Sequence, residues 1–251
     1  MRMRSNTIFI TGGGSGIGKG LAEAFHKLGN QVIITGRREQ ALMKTCGAYP
    51  GMRYYVLDVT DLKSIRSVAE KAIIDFPKLN CVFNNAGVQK YVDFSAGQKI
   101  DDAAMVAELN TNVLGLIRVS DGFLPHLRKQ DHATLVNVSS GLAFVPLARF
   151  PVYCATKAAV HSFSVSLRQQ LKDSSVKVLE LIPPYVDTDL GGRAKTRPSG
   201  SPVPMPLDEF IAETMQELGS DADEIAIGPA KNLVAATAPE SFKKAFAGMN
   251  R

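Results

Sequence analysis

Hydrophobicity along the first part of the chain switches between two periods. Thr7, Ile8, Phe9 and Ile10 form a short apolar run, Leu21 to Leu28 follows at helical spacing, and Val32 to Thr35 is again short and β-branched. The alternation continues. Further short runs centre on Tyr54 to Leu57, Cys81 to Asn84, Leu135 to Ser139, Val178 to Ile182 and Ile225 to Ile227, with longer helical patterns between them. Strands joined through helices are βαβ units. The pattern therefore predicts an α/β fold, a doubly wound sheet of seven mostly parallel strands with helices on both faces. Thr188 to Pro206 is the irregular stretch, with Gly191, Gly192 and Gly200 beside Pro198, Pro202, Pro204 and Pro206. Proline removes backbone donors and turns the preceding residue from helix, so no regular structure is expected there. It reads either as a surface connection or as a lid over a site at 188–206, before a helix opening near Leu207.

Composition narrows the class. At 251 residues, 45% hydrophobic and 21% charged, the chain suits one domain over 1–251. No apolar stretch approaches the ~20 residues of a membrane span, and Met1 to Asn6 is too short and polar for a signal peptide. A cytoplasmic protein without a membrane partner is expected. Cys46, Cys81 and Cys154 lack metal or redox spacing, so no metal is expected. The net charge of +5 is mild and its lysines and arginines are scattered, which argues against a nucleic-acid partner.

Candidate chemistry sits where predicted strands end. Thr11 to Gly18 reads TGGGSGIG between the first strand and the first helix, a turn that lets a diphosphate approach the main chain and a helix N-terminus. Asn84-Asn85-Ala86-Gly87 ends the fourth strand and Ser140 the fifth. Tyr153 and Lys157, four apart, share one helical face. Taken singly, these are a tight turn, a capping serine and a solvated helix surface. Together they gather at the carboxyl ends of strands, where open α/β sheets bind ligands.

This set resembles the short-chain dehydrogenase/reductase family, classical type, over nearly the whole chain. The matching motifs are Thr-Gly-x-x-x-Gly-x-Gly at Thr11 to Gly18, Asn-Asn-Ala-Gly at Asn84 to Gly87, and the trio Ser140, Tyr153 and Lys157. The resemblance implies a Rossmann-type sheet and a fourth catalytic residue, Asn112, in Asn112-Val113-Leu114-Gly115, in preference to Asn110. It further implies a dinucleotide held by Gly12, Ser15, Gly16, Ile17 and Gly18, by Asp58 and Val59, by Asn85, Ala86 and Gly87, by Tyr153 and Lys157, and by Pro183, Val186 and Thr188. Pro184 departs from the family, which usually has glycine there. At the end of the second strand Gly36 replaces the carboxylate that would receive a ribose 2′-hydroxyl, and Arg37 offers a cation to a 2′-phosphate, so the cofactor is read as NADP(H).

Carbonyl reduction assigns the roles. Tyr153 gives the proton, Ser140 donates to the substrate oxygen, and Asn112 positions a water beside Lys157; the alternatives are that the serine merely caps and the asparagine merely satisfies backbone. A cation about 4 Å from the phenol favours phenolate by ~4 kcal/mol at an effective dielectric of ~20, before desolvation subtracts its share, so Lys157 is expected to lower the pKa of Tyr153. The family's cleft positions fall on Val88, Tyr91, Leu142, Phe144, Phe150, Tyr185 and Leu190, nearly all apolar, which implies a hydrophobic ketone or aldehyde. Arg149 and Arg193 are the cations able to swing inward. Imine reduction at the same site and a non-catalytic NADP(H)-sensing protein are the competing readings. A homodimer or homotetramer is expected, with Ala155, Ala159 and Phe163 on the contacting helix.

Overall fold

The computed structural model describes residues 1–95, 101–191, 203–236 and 238–249. In chain order its elements are β1 (Thr7–Thr11), α1 (Gly16–Lys27), β2 (Gln31–Gly36), α2 (Glu39–Ala48), β3 (Arg53–Val56), α3 (Leu62–Asp75) and β4 (Leu79–Asn84). Then come α4 (Asp102–Leu109), a π-helical segment (Asn110–Gly115), α5 (Leu116–Leu127), β5 (Ala133–Val138), α6 (Pro151–Gln170) and β6 (Val176–Ile182). The described chain closes with α7 (Leu207–Glu217), β7 (Glu224–Ala226), α8 (Ala230–Ala235) and α9 (Pro239–Met249). All seven predicted strands are present, with ends displaced by no more than the usual fraying.

The sheet runs β3-β2-β1-β4-β5-β6-β7, and every pairing is parallel. From β1 the chain winds outward through β2 and β3, returns to β4, and winds outward again. The strand order therefore reverses between β1 and β4, and a crevice opens at their carboxyl ends. Successive side chains of the strands feed opposite faces. Ile8, Ile10 and Phe83 pack with Leu21, Phe25 and Phe210 on one side, whereas Phe9, Val82 and Leu135 pack with Ile65, Phe123 and Leu167 on the other. Local signals set the helix starts: Asp61 caps α3 by accepting from Lys63 N at 2.8 Å, and Pro151 opens α6 where a missing N–H costs nothing.

Two expectations need adjustment. Most of the lid stretch, 192–202, lies outside the described residues. Its far end, 203–206, is irregular as expected but tethered: Met205 makes an isolated parallel bridge to Val186, with Met205 N donating to Tyr185 O at 2.8 Å and Asp187 N to Met205 O at 2.9 Å. The second concerns Asn112, which lies in a wider π-helical turn between two α-helices, a distortion frequent at functional sites. Among the described residues no helix is long and apolar enough to cross a membrane.

Candidate active site

The turn after β1 is built as much for the protein as for a ligand. Gly12 and Gly16 have positive φ, 69° and 53°. At Gly18 a Cβ would stand 2.4 Å from Gly12 O, so the first turn of α1 can rest on the loop only without a side chain there. Thr11 Oγ1 accepts from the amides of Asn85 and Ala86, both at 3.0 Å, and Asn85 Nδ2 donates to Thr11 O at 2.9 Å. The Asn-Asn-Ala-Gly run thus stitches the end of β4 to the end of β1. Asn84 Nδ2 continues inward, donating to Ser120 Oγ and Asn137 Oδ1 at 2.9 Å each.

These ends border the point where the strand order reverses. Ser15 caps no amide of α1 and instead accepts from Arg38 Nη2 at 3.1 Å, so the helix N-terminus faces the crevice without a side-chain cap. Ile17 packs toward the core. Across the crevice Thr188 is the nearest group to a Cβ built on Gly16, at 3.4 Å. Asp58 Oδ1 accepts from Thr60 N and Thr60 Oγ1 at 2.9 and 2.8 Å, which fixes its loop, and Val59 beside it is buried. Arg37 is exposed at the end of β2 beside Arg38. Val186 is buried, and Pro183 O accepts from Gly141 N at 3.0 Å, tying the end of β6 to the turn after Ser140.

The proposed reacting groups converge on the neighbouring end of β5. Ser140, Tyr153 and Lys157 are 7, 6 and 4% exposed, and the Ser140 hydroxyl is hydrogen-bonded to the Tyr153 phenol. Lys157 Nζ donates to Val138 O at 2.8 Å and lies 5.6 Å from the centre of the Tyr153 ring. Asn112 Oδ1 accepts from Val88 N at 2.8 Å, while its Nδ2 donates to Val88 O at 2.8 Å and Thr156 Oγ1 at 3.1 Å. A Cβ on Gly87 would meet Asn112 Oδ1 at 3.4 Å and Lys157 Nζ at 3.7 Å, so both groups flank that glycine. The modest roles are also present: Ser140 Oγ accepts from Leu142 N at 3.1 Å, and Asn112 does satisfy the Val88 backbone.

Electrostatics reverse one expectation. Burial pushes the Tyr153 phenol well above its ordinary pKa of 10.0; the Ser140 bond acts the other way, and Cys154 and Glu108 raise it further. Lys157, with its Nζ on Val138 O and 5.6 Å from the ring centre, is not among the groups that shift it. Burial also lowers Lys157, to about 8, against the pull of Glu180 and Glu108.

Three neighbours escaped the sequence reading. Glu108 is fully buried one helical turn before Asn112; Oε1 accepts from Lys90 N at 3.2 Å, Oε2 has no hydrogen-bond partner among the described residues, and burial raises its pKa. Its spacing of four from Asn112 was the available signal. Glu180 is a buried carboxylate in β6, where the other charge, Lys177, is only half-buried, and His161 is bonded to it.

Three loops bring the expected cleft residues together. Val92 N donates to Arg149 O at 3.4 Å, and a Cβ on Gly191 would lie 3.0 Å from Gln89 Oε1. The loops carrying Val88 and Tyr91, Phe150, and Leu190 therefore adjoin. Tyr91, Tyr185 and Leu190 are exposed, Leu142 is half-buried, and Phe144 stacks on His161 at 4.6 Å between ring centres. Arg193 lies outside the described residues.

Residues 6–198 match the family model described as short chain dehydrogenase. The uncharacterized oxidoreductase DltE of Bacillus subtilis (strain 168) is 40% identical over 253 residues, covering 100% of this chain and 98% of its own. An NADP-dependent 3-hydroxy acid dehydrogenase of Schizosaccharomyces pombe is 32% identical over 75% of this chain and 74% of its own. Among solved structures, a short chain dehydrogenase from Burkholderia cenocepacia J2315 in complex with NADP superposes with a TM-score of 0.85 at 24% identity, covering 99% of both chains.

Proposed function

Since this chain belongs to the short-chain dehydrogenase family, we propose that it is an NADP(H)-dependent oxidoreductase that reversibly reduces a hydrophobic ketone or aldehyde to the alcohol. The observation that carries this reading is the convergence of Ser140, Tyr153 and Lys157 at the end of β5 beside the crevice. When bound, the nicotinamide supplies a hydride, a chemistry for which the crevice, the uncapped N-terminus of α1 and the paired arginines are suited. Gly12, Ser15, Gly16, Asp58, Gly87 and Thr188 are the residues that would hold the dinucleotide. Arg37 would take its 2′-phosphate, since Gly36 leaves no carboxylate to repel one. The NADP dependence named for the Schizosaccharomyces pombe relative supports the same choice.

The protein's own part is proton transfer and orientation. Negative charge developing on a carbonyl oxygen needs a donor, and the raised pKa of Tyr153 keeps its proton in place through the neutral range. Ser140 supplies a second donor to that oxygen, and Lys157 holds the phenol's helix against β5 through Val138 O. Taking the proton back, as alcohol oxidation requires, is favoured by raising the pH. The exposed Tyr91, Tyr185 and Leu190 support a bulky apolar substrate, each side chain contributing ~1.5–3 kcal/mol when removed from water.

The test is consumption of NADPH and of NADH with aryl and long-chain ketones, sugars, 3-keto acids and cyclic imines. Highest kcat/KM with NADPH and an apolar carbonyl is the expected result. Preference for keto acids would assign Arg149 to a carboxylate and overturn the substrate reading; preference for imines would overturn the carbonyl reading. Tight NADPH binding without turnover would make the protein a sensor.

A further inference from the structure

Behind the reacting groups lies a buried chain that proton transfer as described does not use. Ser139 Oγ donates to Glu180 Oε1 at 2.5 Å, and His161 Nδ1 lies 2.8 Å from Glu180 Oε2. Glu180 is 0% exposed and Ser139 2%. The order is not that of a hydrolytic triad, where imidazole stands between hydroxyl and carboxylate; here the carboxylate stands in the middle. Its location explains it better. Ser139 separates two residues that each hold a reacting group: Val138 O receives Lys157, and Ser140 is bonded to Tyr153. His161 follows Lys157 by four residues and Tyr153 by eight, so all three share one face of α6. The clamp therefore closes a ring from β5 through β6 to α6 around the point where β5 meets both reacting side chains.

A carboxylate taken wholly out of water persists only when it is paired. From β5, Glu180 faces Ser139; from α6, His161 and, electrostatically, Lys157. At the start of β7, Glu180 N donates to Asp223 O at 2.8 Å, and Glu224 stands near His161, with Arg168 bonded to the Glu224 carboxylate at 3.4 Å. Lys157 also feels Glu108 from α4. We propose, on the basis of the reductase reading above, that Glu180 is a positioning residue: gripped by Ser139 and His161, it fixes the end of β5 against α6 and supplies the buried negative charge opposite Lys157.

Two variants separate charge from grip. Glu180→Gln keeps the shape and removes the charge. Its Lys157 titration midpoint, followed by NMR of 13C-labelled lysine and assigned through Lys157→Arg, is expected to fall by about one pH unit, and the alkaline limb of kcat/KM to move with it. Ser139→Ala keeps the charge and releases the grip, so kcat is expected to fall on the order of tenfold with the limb unmoved. An unchanged Lys157 midpoint in folded Glu180→Gln would overturn the electrostatic role, and an unchanged kcat in Ser139→Ala the positioning role. Should Glu180→Gln not fold, Ser139→Ala decides the positioning role and Glu180→Asp the electrostatic one, since a carboxylate set back by one methylene should still lower the Lys157 midpoint, and an unchanged midpoint would overturn it. Because the NMR titration needs no turnover, a wild-type protein that reduces no carbonyl overturns the reductase reading while the midpoint still reports on Glu180.

Discussion

At Tyr153 opposed influences meet: burial, with Cys154 and Glu108, raises the phenol's pKa, the Ser140 bond lowers it, and burial wins. The residue is therefore suited to giving a proton. Tyr153→Phe removes that proton and little else, so turnover should fall by ~10²–10⁴ while NADPH affinity, measured by fluorescence titration, stays within a few-fold. Arg37 belongs to the same scale. Its replacement by Ala should weaken NADPH by ~1.5–3 kcal/mol and leave NADH nearly unaffected; equal losses would remove it from the 2′-phosphate. Glu108 carries a pH signature. Its pKa is raised above 4.5 by burial, so the folded protein keeps a proton that the unfolded chain has released, and stability falls as pH rises from 4.5 through the folded value. Glu108→Gln keeps an acceptor for Lys90 N and carries no charge. Its Tm should exceed that of the wild type at pH 8 and lose the advantage below about pH 4, where both side chains are neutral.

Among the elements, the π-helical segment decides most. It widens the helix where Asn112 must reach Val88 and Thr156, and it brings Gly115 against the loop after β3. A Cβ on Gly115 would lie 2.6 Å from Val59 O, a backbone atom that cannot swing aside. Gly115→Ala should therefore cost ~1–3 kcal/mol, as overpacking does, read as a Tm several degrees lower. Because Asp58 and Val59 ride on the same loop, NADPH affinity should drop in that variant as well. Retained Tm and affinity would mean that the helix slides without disturbing the loop.

At the scale of the whole molecule, the reversal of strand order places the glycine turn, the Asn-Asn-Ala-Gly run and the Ser140 turn side by side, although 74 residues separate Thr11 from Asn85. The sheet buries both faces, so further apolar contact must lie on the helices. Ala155, Ala159, Ser162 and Ser166 form an exposed small-residue line on α6, whereas Phe163 packs inward against the core. We expect a dimer or tetramer through that line. Light scattering at micromolar concentration should show it, and Ala159→Glu should shift it toward monomer; a monomeric wild type would rule it out.

Alternation of short apolar runs with helical patterns was enough to specify the α/β class and all seven strands, because the five inner strands are buried on both faces and read as nearly continuous apolar runs, and the exposed edge strands β3 and β7 still stand out as short apolar runs between helical patterns. The glycine turn, Ser140, Tyr153 and Lys157 were legible for a similar reason: spacing along one turn or one helix face is a local property. Other features needed the third dimension. That burial outweighs the Ser140 bond at Tyr153, that Asn112 sits in a widened turn, and that Glu108 reaches the site all depend on which helix packs where. Glu180 shows this most clearly. Along the chain it is one of two charges in a largely apolar strand, and only the folding of β5, β6 and α6 together sets it between Ser139 and His161, where a buried carboxylate finds the donors it requires.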